Sequence, residues 1–331
     1  MTKKIGINGF GRIGRYLTRL MARELDGDLE IGAINARASN EELARLLKYD
    51  SIHGTFDGIV EFDDNGLIVN GEHIKITREK RGEWKWGELG VGLVIESTGK
   101  FTERDLAAMH LACGAKKVLI SAPGKNVDAT LVYGVNEKDY RPDVHQVISA
   151  ASCTTNCLAP VAKTLNDVFG FKHGLMTTIH SYTMSQRILD GTHKDPRRAR
   201  AAAMSMIPTT TGAARAVTMV IPELKGKLDG MAVRVPTPNV SIVDLTAELK
   251  RKVTAAEVNA ALKEASGEAM GYTDEPLVSV DYLGSVHGGV VDGLSTTVID
   301  GTMVKVIIWY DNEAGFTNQL LRLAKMVAKS I

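Results

Sequence analysis

The stretch that decides the fold is KIGINGFGRIG, residues 4–14. A β-rich run, Lys4–Gly9, leads into Gly9, Gly11 and Gly14 at the spacing G-x-G-x-x-G, and apolar residues then recur at helical spacing over Gly11–Leu25. In a strand–turn–helix unit such glycines allow a tight turn, close backbone approach to a pyrophosphate and close helix packing. The context predicts a dinucleotide-binding site, and a glycine-rich turn without a ligand is the alternative.

Strand and helix patterns alternate up to about residue 150. The predicted strands cover 29–35, 91–97, 117–121 and 144–149, and small antiparallel hairpins cover 59–62, 67–69 and 74–77. The predicted helices cover 40–49, with Asn40 as N-cap, and 102–113. This alternation predicts an α/β Rossmann domain with a mostly parallel, doubly wound sheet.

The pattern changes after Ala151. A long helix is predicted over Cys153–Phe169 and a terminal helix over Gly315–Ala328. The predicted strands cover 175–180, 231–234, 240–249, 277–282, 295–299 and 303–309. Long β runs with few crossovers predict an α+β catalytic domain with a mixed sheet. We expect residues 1–151, completed by 315–331, to form the first domain and 152–314 the second.

Composition narrows the function classes. At roughly 150 residues per domain, the 331 residues predict about two domains. A net charge of +1 and 5% aromatic residues argue against nucleic-acid binding as the main role. Three cysteines predict a reducing cytoplasm, and no apolar run of transmembrane length is present. The histidines and cysteines lack metal-ligand spacing, so no metal site is expected.

Cys153 is the candidate nucleophile. It lies at a predicted strand-to-helix turn, where the helix N-terminus is expected to lower the pKa of a thiol. His180 ends the predicted strand of TTIHSYT (177–183) and is the candidate base for Cys153. Cys113 and Cys157 are interpreted as packing residues.

Three segments are candidates for phosphate recognition. The basic run KDPRRAR (194–200) is either a solvated loop or an anion site, and PTTTGAA (208–214) places hydroxyls before a helix. Arg234 ends a predicted strand.

The second strand ends in INARAS (34–39), which lacks the acidic residue expected for a ribose 2′-hydroxyl. A 2′-phosphate is therefore not repelled there, and Arg37 is able to pair with it; in the alternative, Arg37 is solvated and Asn35 alone binds the ribose.

These segments together resemble phosphorylating glyceraldehyde-3-phosphate dehydrogenases. The match includes NGFGRIGR (8–15), STGKF (97–101), SAASCTTNCLAP (149–160), TTIHSYT (177–183) and IPTTTGAARAV (207–217), and it continues in order to WYDNEAGF (309–316). The resemblance implies that the Cys153 thiol attacks the aldehyde of glyceraldehyde 3-phosphate with His180 as base. Inorganic phosphate then cleaves a thioester to give 1,3-bisphosphoglycerate, in glycolysis or gluconeogenesis.

The resemblance also implies binding residues and an assembly. The residues at cofactor positions are Gly9, Gly11, Arg12, Ile13, Gly14, Asn35, Ala36, Arg37, Arg78, Thr98, Gly99, Ser121, Asn312 and Phe316. The residues at the substrate-phosphate site are Thr183, Arg198 and Arg234, and those at the inorganic-phosphate site are Ser152, Thr154, Thr211 and Gly212. Family members are cytoplasmic homotetramers, and the same assembly is expected here.

Departures from the family pattern bear on the cofactor. NAD-specific members have Asp where this chain has Ala36, and often Pro where it has Thr192. Both changes resemble the branch that uses NADP or both cofactors, so NAD or NADP is expected. Ala314 and Phe316 stand where Trp and Tyr are usual.

Three other functions compete with this one. Erythrose-4-phosphate dehydrogenase is a relative with the same Cys/His pair, but it lacks the Ser-Tyr-Thr and Thr-Gly phosphate segments that this chain keeps. A nucleotide-responsive RNA-binding protein would show salt-dependent RNA retention that NAD(P) fails to displace. A cysteine hydrolase would need no glycine-rich loop and would hydrolyse thioesters without a cofactor.

Overall fold

A computed structural model describes residues 2–23, 27 and 29–331. Contacts divide the chain into two compact units. The first comprises Met1–Leu131, Glu137–Ala151 and Leu320–Ile331, and the second comprises Val132–Asn136 and Ser152–Gln319. Of the helices in the described residues, none combines the length and apolar character that a membrane span requires.

The first unit is built on a mostly parallel sheet. Its strands are β1 (Lys3–Asn8), β2 (Leu29–Asn35), β3 (Tyr49–Asp50), β4 (Gly54–Thr55), β5 (Val60–Phe62), β6 (Gly66–Val69), β7 (Glu72–Thr77), β8 (Leu93–Glu96), β9 (Lys117–Ile120), β10 (Ala129–Thr130) and β11 (Val147–Ser149). Nine of them form one sheet in the order β10-β11-β9-β8-β1-β2-β7-β6-β5, and β3 pairs with β4. The neighbours from β10 to β7 are parallel, and β7-β6-β5 is antiparallel.

The helices of this unit alternate along the chain with the strands of that sheet. They are α1 (Arg12–Met21), α2 (Asn40–Lys48), α3 (Arg104–Ala107) and α4 (Met109–Ala112). The central strands β8 and β9 are buried at every residue, as expected for parallel strands covered on both faces. This is the predicted Rossmann-type arrangement.

The second unit has a mixed sheet. Its elements are α5 (Cys153–Phe169), β12 (Phe171–Ser181), β13 (Ile207–Thr210), α6 (Ala213–Val220), β14 (Leu228–Val235), β15 (Ser241–Leu249), α7 (Ala255–Glu264), β16 (Met270–Thr273), β17 (Gly289–Ile299), β18 (Met303–Tyr310) and α8 (Ala314–Ala328), whose residues from Leu320 belong to the first unit. The sheet order is β13-β14-β12-β15-β18-β17-β16. Parallel pairs β12-β14 and β16-β17 occur beside antiparallel neighbours, which confirms the predicted mixed sheet.

Helix α5 packs against the sheet of the second unit and against α6 and α7, and its predicted bounds are confirmed. It is buried from Thr154 to Ala162, and Leu158, Val161 and Leu165 are fully buried, because it packs against β12, β15 and β18. Strand β15 alternates buried and half-buried residues, so only one of its faces meets the core.

Several predicted elements are wrong in detail. The predicted strand over Leu277–Tyr282 contains instead a 3₁₀ helix, Ser279–Tyr282, because Asp281 caps the backbone N–H of Val278 at 2.8 Å and the run pairs with no strand. The strand on that edge is β16, which the sequence pattern missed, as it missed α7.

The predicted helices of the first unit also change. The helix over 102–113 is divided at Ala108 into α3 and α4. The N-cap of α2 is Ser39 and not Asn40, because the Ser39 hydroxyl accepts the N–H of Glu42 at 3.2 Å while the Asn40 amide donates to Asp63 O at 2.7 Å. The helix over Gly11–Leu25 is α1, which ends at Met21, and the predicted end at Leu25 lies outside the described residues.

Candidate active site

The candidate nucleophile begins a helix. The Ser152 hydroxyl caps α5 by accepting the backbone N–H of Thr155 at 3.1 Å, and Cys153 is the first helical residue. Cys153 is half-buried, at the end of the helix where the dipole is positive. The strand-to-helix turn predicted for this cysteine is therefore confirmed.

The candidate base faces that thiol. His180 is the penultimate residue of β12, and its Nε2 lies 3.5 Å from Cys153 Sγ. Its Nδ1 lies 2.7 Å from the carbonyl oxygen of Ser181, which is an acceptor for Nδ1–H. Arg234 Nη1, a donor, also lies 2.8 Å from Nδ1, so the contacts are compatible with both neutral tautomers. The tautomer with the proton on Nδ1 presents the Nε2 lone pair to the thiol, as a general base requires.

Burial sets the protonation of both groups. Burial raises the pKa of the Cys153 thiol, and the charge of Arg234 and the hydrogen bonds around Thr154 offset only part of that rise. The sequence predicted that the helix N-terminus lowers the pKa of this thiol. That prediction is wrong, because the effect of desolvation is larger. Burial, followed by the charge of Arg234, lowers the pKa of His180 to about 3. At neutral pH the pair is a thiol beside a neutral imidazole.

Arg234 provides a cation beside this pair. Its Nη1 lies 2.8 Å from His180 Nδ1 and donates to Ser181 O at 2.9 Å. Its Nε is buried and lacks a hydrogen-bond partner among the described residues. A half-buried guanidinium whose buried Nε–H is unused is suited to an anionic ligand, since an unmet buried donor costs about 1–3 kcal/mol.

Arg198 is held by hydroxyl and carboxylate groups. Its Nε donates to Thr209 Oγ1 at 3.0 Å, and that hydroxyl donates to Asp195 Oδ2 at 2.8 Å. Its charge reaches both His180 and Arg234 and lowers the pKa of each, after the larger effect of burial. The structure therefore brings Arg198 near the Cys153–His180 pair, whereas Arg197 and Arg200 of the same basic run are exposed.

The other predicted phosphate residues lie at three places in this unit. Thr183 follows β12, and its hydroxyl bonds Ser185 at 2.9 Å. Thr211 accepts the N–H of Ala213 at 3.2 Å, and the exposed Gly212 is the N-cap of α6. Thr154 differs from the others, because its buried hydroxyl bonds the Tyr310 hydroxyl at 2.9 Å.

Tyr310 is a residue that the sequence reasoning missed. Its hydroxyl bonds Thr154 beside the nucleophile and, at 2.8 Å, Thr178 two residues before His180. Its ring meets the His180 ring edge-on at 5.9 Å. Burial raises the pKa of Tyr310 well above its ordinary value, so the hydroxyl stays neutral. Its position in the WYDNEAGF match was the available signal.

The glycine-rich turn in the first unit has the geometry of a dinucleotide loop. Gly9 has a φ of +105°, a region that favours glycine. A Cβ on Gly14 would lie 2.2 Å from Gly9 O, so close packing of α1 on the turn requires glycine there. A Cβ on Gly11 would meet nothing within 4 Å. These are the roles of tight turn, close packing and open approach that a pyrophosphate loop needs.

The flanking cofactor candidates are mostly engaged with the protein. Arg12 forms a two-pronged ion pair with Asp50. Burial opposes ionisation of Asp50, but Arg12 and the backbone N–H groups of His53 and Ile52 outweigh it and lower its pKa. Ile13 follows in the first turn of α1, half-buried.

The end of β2 is the predicted ribose segment. Both amide hydrogens of Asn35 are donated within the protein, to Asn8 Oδ1 at 2.9 Å and to Glu79 O at 3.2 Å. Ala36 is buried, and Arg37 is exposed. Arg78 bonds Ala38 O at 2.8 Å and Asn40 Oδ1 at 2.7 Å, which fixes the loop that carries Arg37.

The remaining cofactor candidates lie in both units. Thr98 and Gly99 follow β8, and the Ser121 hydroxyl donates to Glu96 O at 3.0 Å in the first unit. In the second unit Asn312 accepts the Ser241 hydroxyl at 3.0 Å, and Phe316 is buried in the first turn of α8. Among the described residues, no group of three or more His, Cys, Asp or Glu side chains is suited to a metal ion.

Comparisons with known proteins agree with this geometry. Residues 3–104 match the family model for the glyceraldehyde 3-phosphate dehydrogenase NAD binding domain, and residues 152–312 match the model for its C-terminal domain. The chain is 59% identical to the glyceraldehyde-3-phosphate dehydrogenase of Geobacillus stearothermophilus, with 99% of each chain covered. It is 57% identical to glyceraldehyde-3-phosphate dehydrogenase 1 of Bacillus subtilis, again over 99% of each chain. It is 51% identical to the enzyme of that name in Zymomonas mobilis over the whole of both chains. The chain thus belongs to the glyceraldehyde-3-phosphate dehydrogenase family of oxidoreductases.

Proposed function

We propose that this protein is a phosphorylating glyceraldehyde-3-phosphate dehydrogenase. It oxidises D-glyceraldehyde 3-phosphate with inorganic phosphate and NAD(P)⁺ to 1,3-bisphosphoglycerate, in glycolysis or gluconeogenesis. The observation that carries this proposal is the 3.5 Å approach of Cys153 Sγ to Nε2 of a neutral His180. A thiol and a neutral imidazole at this distance form a nucleophile–base pair for attack on a carbonyl.

The chemistry of the pair follows from its protonation. As Sγ bonds to the aldehyde carbon, the thiol proton moves to Nε2, and the carbonyl oxygen becomes the oxyanion of a thiohemiacetal. His180 and the Cys153 backbone N–H are the donors proposed for that oxygen. His180 gives its proton to that oxygen as the thiohemiacetal forms and takes it back when hydride leaves, so a thioester remains on Cys153. A phosphate oxygen attacks its carbon, and Sγ leaves and regains a proton.

The glycine-rich turn fits the dinucleotide that this reaction needs. When bound, NAD(P)⁺ supplies the acceptor for the hydride. The open space at Gly11 and the N-terminus of α1 support a pyrophosphate site formed by the backbone of Arg12 and Ile13. Asn35, Ala36, Arg37, Arg78, Thr98, Gly99, Ser121, Asn312 and Phe316 are proposed as the other cofactor residues.

Two anions must be bound, the phosphate of the substrate and the inorganic phosphate. The unused Arg234 Nε and the nearby charge of Arg198 support a substrate-phosphate site that includes Thr183. The helix N-termini at Ser152 and Gly212 support an inorganic-phosphate site with Thr211. Thr154 lines that site only if its hydroxyl turns from Tyr310.

Use of NADP, alone or beside NAD, is part of the proposal. The buried, uncharged Ala36 leaves no carboxylate to repel a 2′-phosphate, and the exposed Arg37 makes no hydrogen bond or ion pair with described residues. A guanidinium free to turn is suited to a phosphate. In the alternative, Arg37 is solvated and Asn35 alone binds the ribose.

A homotetramer in the cytoplasm is also proposed. Large apolar side chains are exposed on β12 and β14, at Leu175 (68%) and Met231 (41%), and on the loop after β12, at Met184 (89%) and Ile188 (85%). Exposed apolar groups of this size mark association surfaces. Light-scattering mass in solution tests the assembly, and the three free cysteines fit a reducing compartment.

The test of the function is the initial rate of NAD and of NADP reduction, measured separately with glyceraldehyde 3-phosphate and inorganic phosphate. Phosphate-dependent reduction is expected, with NADP used at least comparably to NAD. Reduction of NAD alone would contradict the 2′-phosphate argument. No phosphate-dependent reduction, or a preference for erythrose 4-phosphate, would overturn the proposed function.

A further inference from the structure

A row of side chains crosses the first unit beneath the glycine-rich turn. Thr77, Asn35, Asn8 and Glu96 are the last residues of β7, β2, β1 and β8, which are adjacent strands in that order. They are direct neighbours in the strand register, Thr77 opposite Asn35, Asn35 opposite Asn8 and Asn8 opposite Glu96. We call these four residues the polar row.

The hydrogen bonds of the polar row all run in one direction. The Thr77 hydroxyl donates to Asn35 Oδ1 at 3.0 Å, and Asn35 Nδ2 donates to Asn8 Oδ1 at 2.9 Å. Asn8 Nδ2 then donates to Glu96 Oε2 at 2.6 Å. Successive bonds of one direction polarise one another, and the group at the accepting end sets that direction.

Glu96 is that accepting end. Its side chain is completely buried, and four donors fill its oxygens: Asn8 Nδ2, His110 Nε2, and the backbone N–H and hydroxyl of Thr98. Trp86 Nε1 donates to His110 Nδ1 at 3.0 Å, which leaves the proton of the neutral ring on Nε2. Four donors and no acceptor around a carboxyl group describe a carboxylate.

The residues that Glu96 holds form the rim of the proposed cofactor site. Thr98 packs directly on Gly9, because a Cβ on Gly9 would lie 2.9 Å from its Cγ2 and from its N. Asn8 precedes Gly9, whose N–H donates to Asn35 O at 3.0 Å. Asn35 in turn precedes Ala36 and fixes the backbone of Glu79. One buried carboxylate therefore connects the glycine-rich turn with the predicted ribose segment.

We propose that Glu96 is a positioning residue for dinucleotide binding, which sets the direction of the polar row and thereby fixes the glycine-rich turn and the end of β2. This inference rests on the proposed function. Glu96→Gln keeps the shape of the side chain but places an amide NH₂ against donors. If the NH₂ faces Asn8 and His110, the row must reverse or break as far as the end of β2; if it faces Thr98, the contact that holds Thr98 against the turn is lost.

The test is the dissociation constant of ADP-ribose, which lacks the nicotinamide, measured by calorimetry beside that of NAD on the full-length chain. We expect Glu96→Gln to weaken both by about tenfold or more, since a hydrogen bond to a charged group is lost. The rate of Cys153 alkylation by iodoacetamide without cofactor is expected to stay within about twofold, because Cys153 belongs to the other unit.

Asp128→Asn is the matched control. Asp128 is another carboxylate of the first unit, bonded to Arg104 at 2.8 Å and to the N–H groups of Gln146 and Val147, but not to the polar row. Its substitution is expected to lower the melting temperature of the chain without raising the dissociation constant of ADP-ribose. Equal weakening by both variants, or unchanged affinity in Glu96→Gln, would overturn the proposal.

His110→Phe decides the matter if Glu96→Gln does not fold. It removes one of the four donors and keeps an aromatic ring beside Trp84, which lies 3.9 Å from the His110 ring. A dissociation constant raised at least about threefold supports the proposal, and an unchanged one contradicts it. If the wild-type chain binds neither NAD, NADP nor ADP-ribose, the proposed function fails instead.

Discussion

The two units prepare for their ligands in opposite ways. Beside the glycine-rich turn, the amide of Asn35 and the carboxylate of Glu96 are already satisfied by hydrogen bonds within the protein. Beside Cys153 a polar group keeps an unused donor, the buried Nε of Arg234. The first unit therefore offers mainly backbone and space, whereas the second offers side-chain chemistry.

The difference has a physical reason. A pyrophosphate is held by backbone N–H groups at a helix N-terminus, so the surrounding side chains serve to fix the backbone. Bond formation at a carbonyl needs a proton acceptor and donors that are preorganised but not yet used. Substitutions in the first unit should thus change affinity, and those in the second should change turnover.

The largest effect is expected from Cys153→Ser. Turnover should fall at least about a thousandfold, because a serine hydroxyl is a much weaker nucleophile beside a neutral imidazole. The affinity for NAD should remain. Steady-state rates and cofactor titration measure the two, and Cys113→Ser, which changes a half-buried thiol of the first unit, is the control. Substantial activity in Cys153→Ser would contradict the role of Cys153 as the nucleophile.

Gly14→Ala and Gly11→Ala separate packing from ligand space. A Cβ on Gly14 strikes Gly9 O, so Gly14→Ala should destabilise the first unit by about 1–3 kcal/mol and weaken NAD by about tenfold or more. Gly11→Ala meets no protein atom and should weaken NAD with little change in stability. Denaturation and cofactor titration of both variants make the comparison. Tight NAD binding by Gly11→Ala would place the pyrophosphate elsewhere.

Ala36→Asp tests the ribose segment. The new carboxylate should repel a 2′-phosphate and shift the ratio of kcat/KM for NADP over NAD toward NAD by about tenfold. Ala36→Asn adds a side chain of the same shape without the charge and should shift the ratio less. An unchanged ratio in Ala36→Asp would mean that the cofactor does not pass Ala36.

The effect that is smallest at neutral pH concerns acid stability. The pKa of His180 is about 3 in the folded chain, whereas its ordinary value is 6.5. Between these two pH values the unfolded chain binds a proton that the folded chain does not bind. Stability from this group is complete above about pH 6.5 and falls toward pH 3, by at most roughly 1.4 kcal/mol per pH unit. His180→Asn should flatten the pH dependence of urea unfolding in that window, and an unchanged slope would indicate an ordinary histidine.

Much of the fold could be predicted because it is encoded locally. The bounds of Cys153–Phe169 follow from a serine cap at one end and Gly170 at the other, around the apolar run 157–162, and Leu29–Asn35 follows from its β-rich composition. Leu277–Tyr282 has a similar composition. A segment becomes a strand only when it pairs with a neighbouring strand, and a single sequence does not specify that pairing. Ser39 and Asn40 are both good N-caps, and the tertiary contact of Asn40 with Asp63 decided between them.

The site follows the same division. Motif spacing predicted that Cys153 begins a helix and that His180 lies at the end of a strand. The direction of the thiol pKa was wrong, because burial depends on the whole second unit and outweighs the local helix terminus. The polar row joins residues that are 27 and 88 positions apart, so no local pattern reveals it.

The most direct test of the central claim is mass spectrometry of the intact chain after mixing with glyceraldehyde 3-phosphate and NAD(P)⁺ in the absence of phosphate. An acyl group on Cys153 is expected, absent in Cys153→Ser, present in Cys113→Ser and discharged when phosphate is added. Reduction of the cofactor with no acyl adduct on Cys153, or an adduct that phosphate does not discharge, would contradict the thioester mechanism.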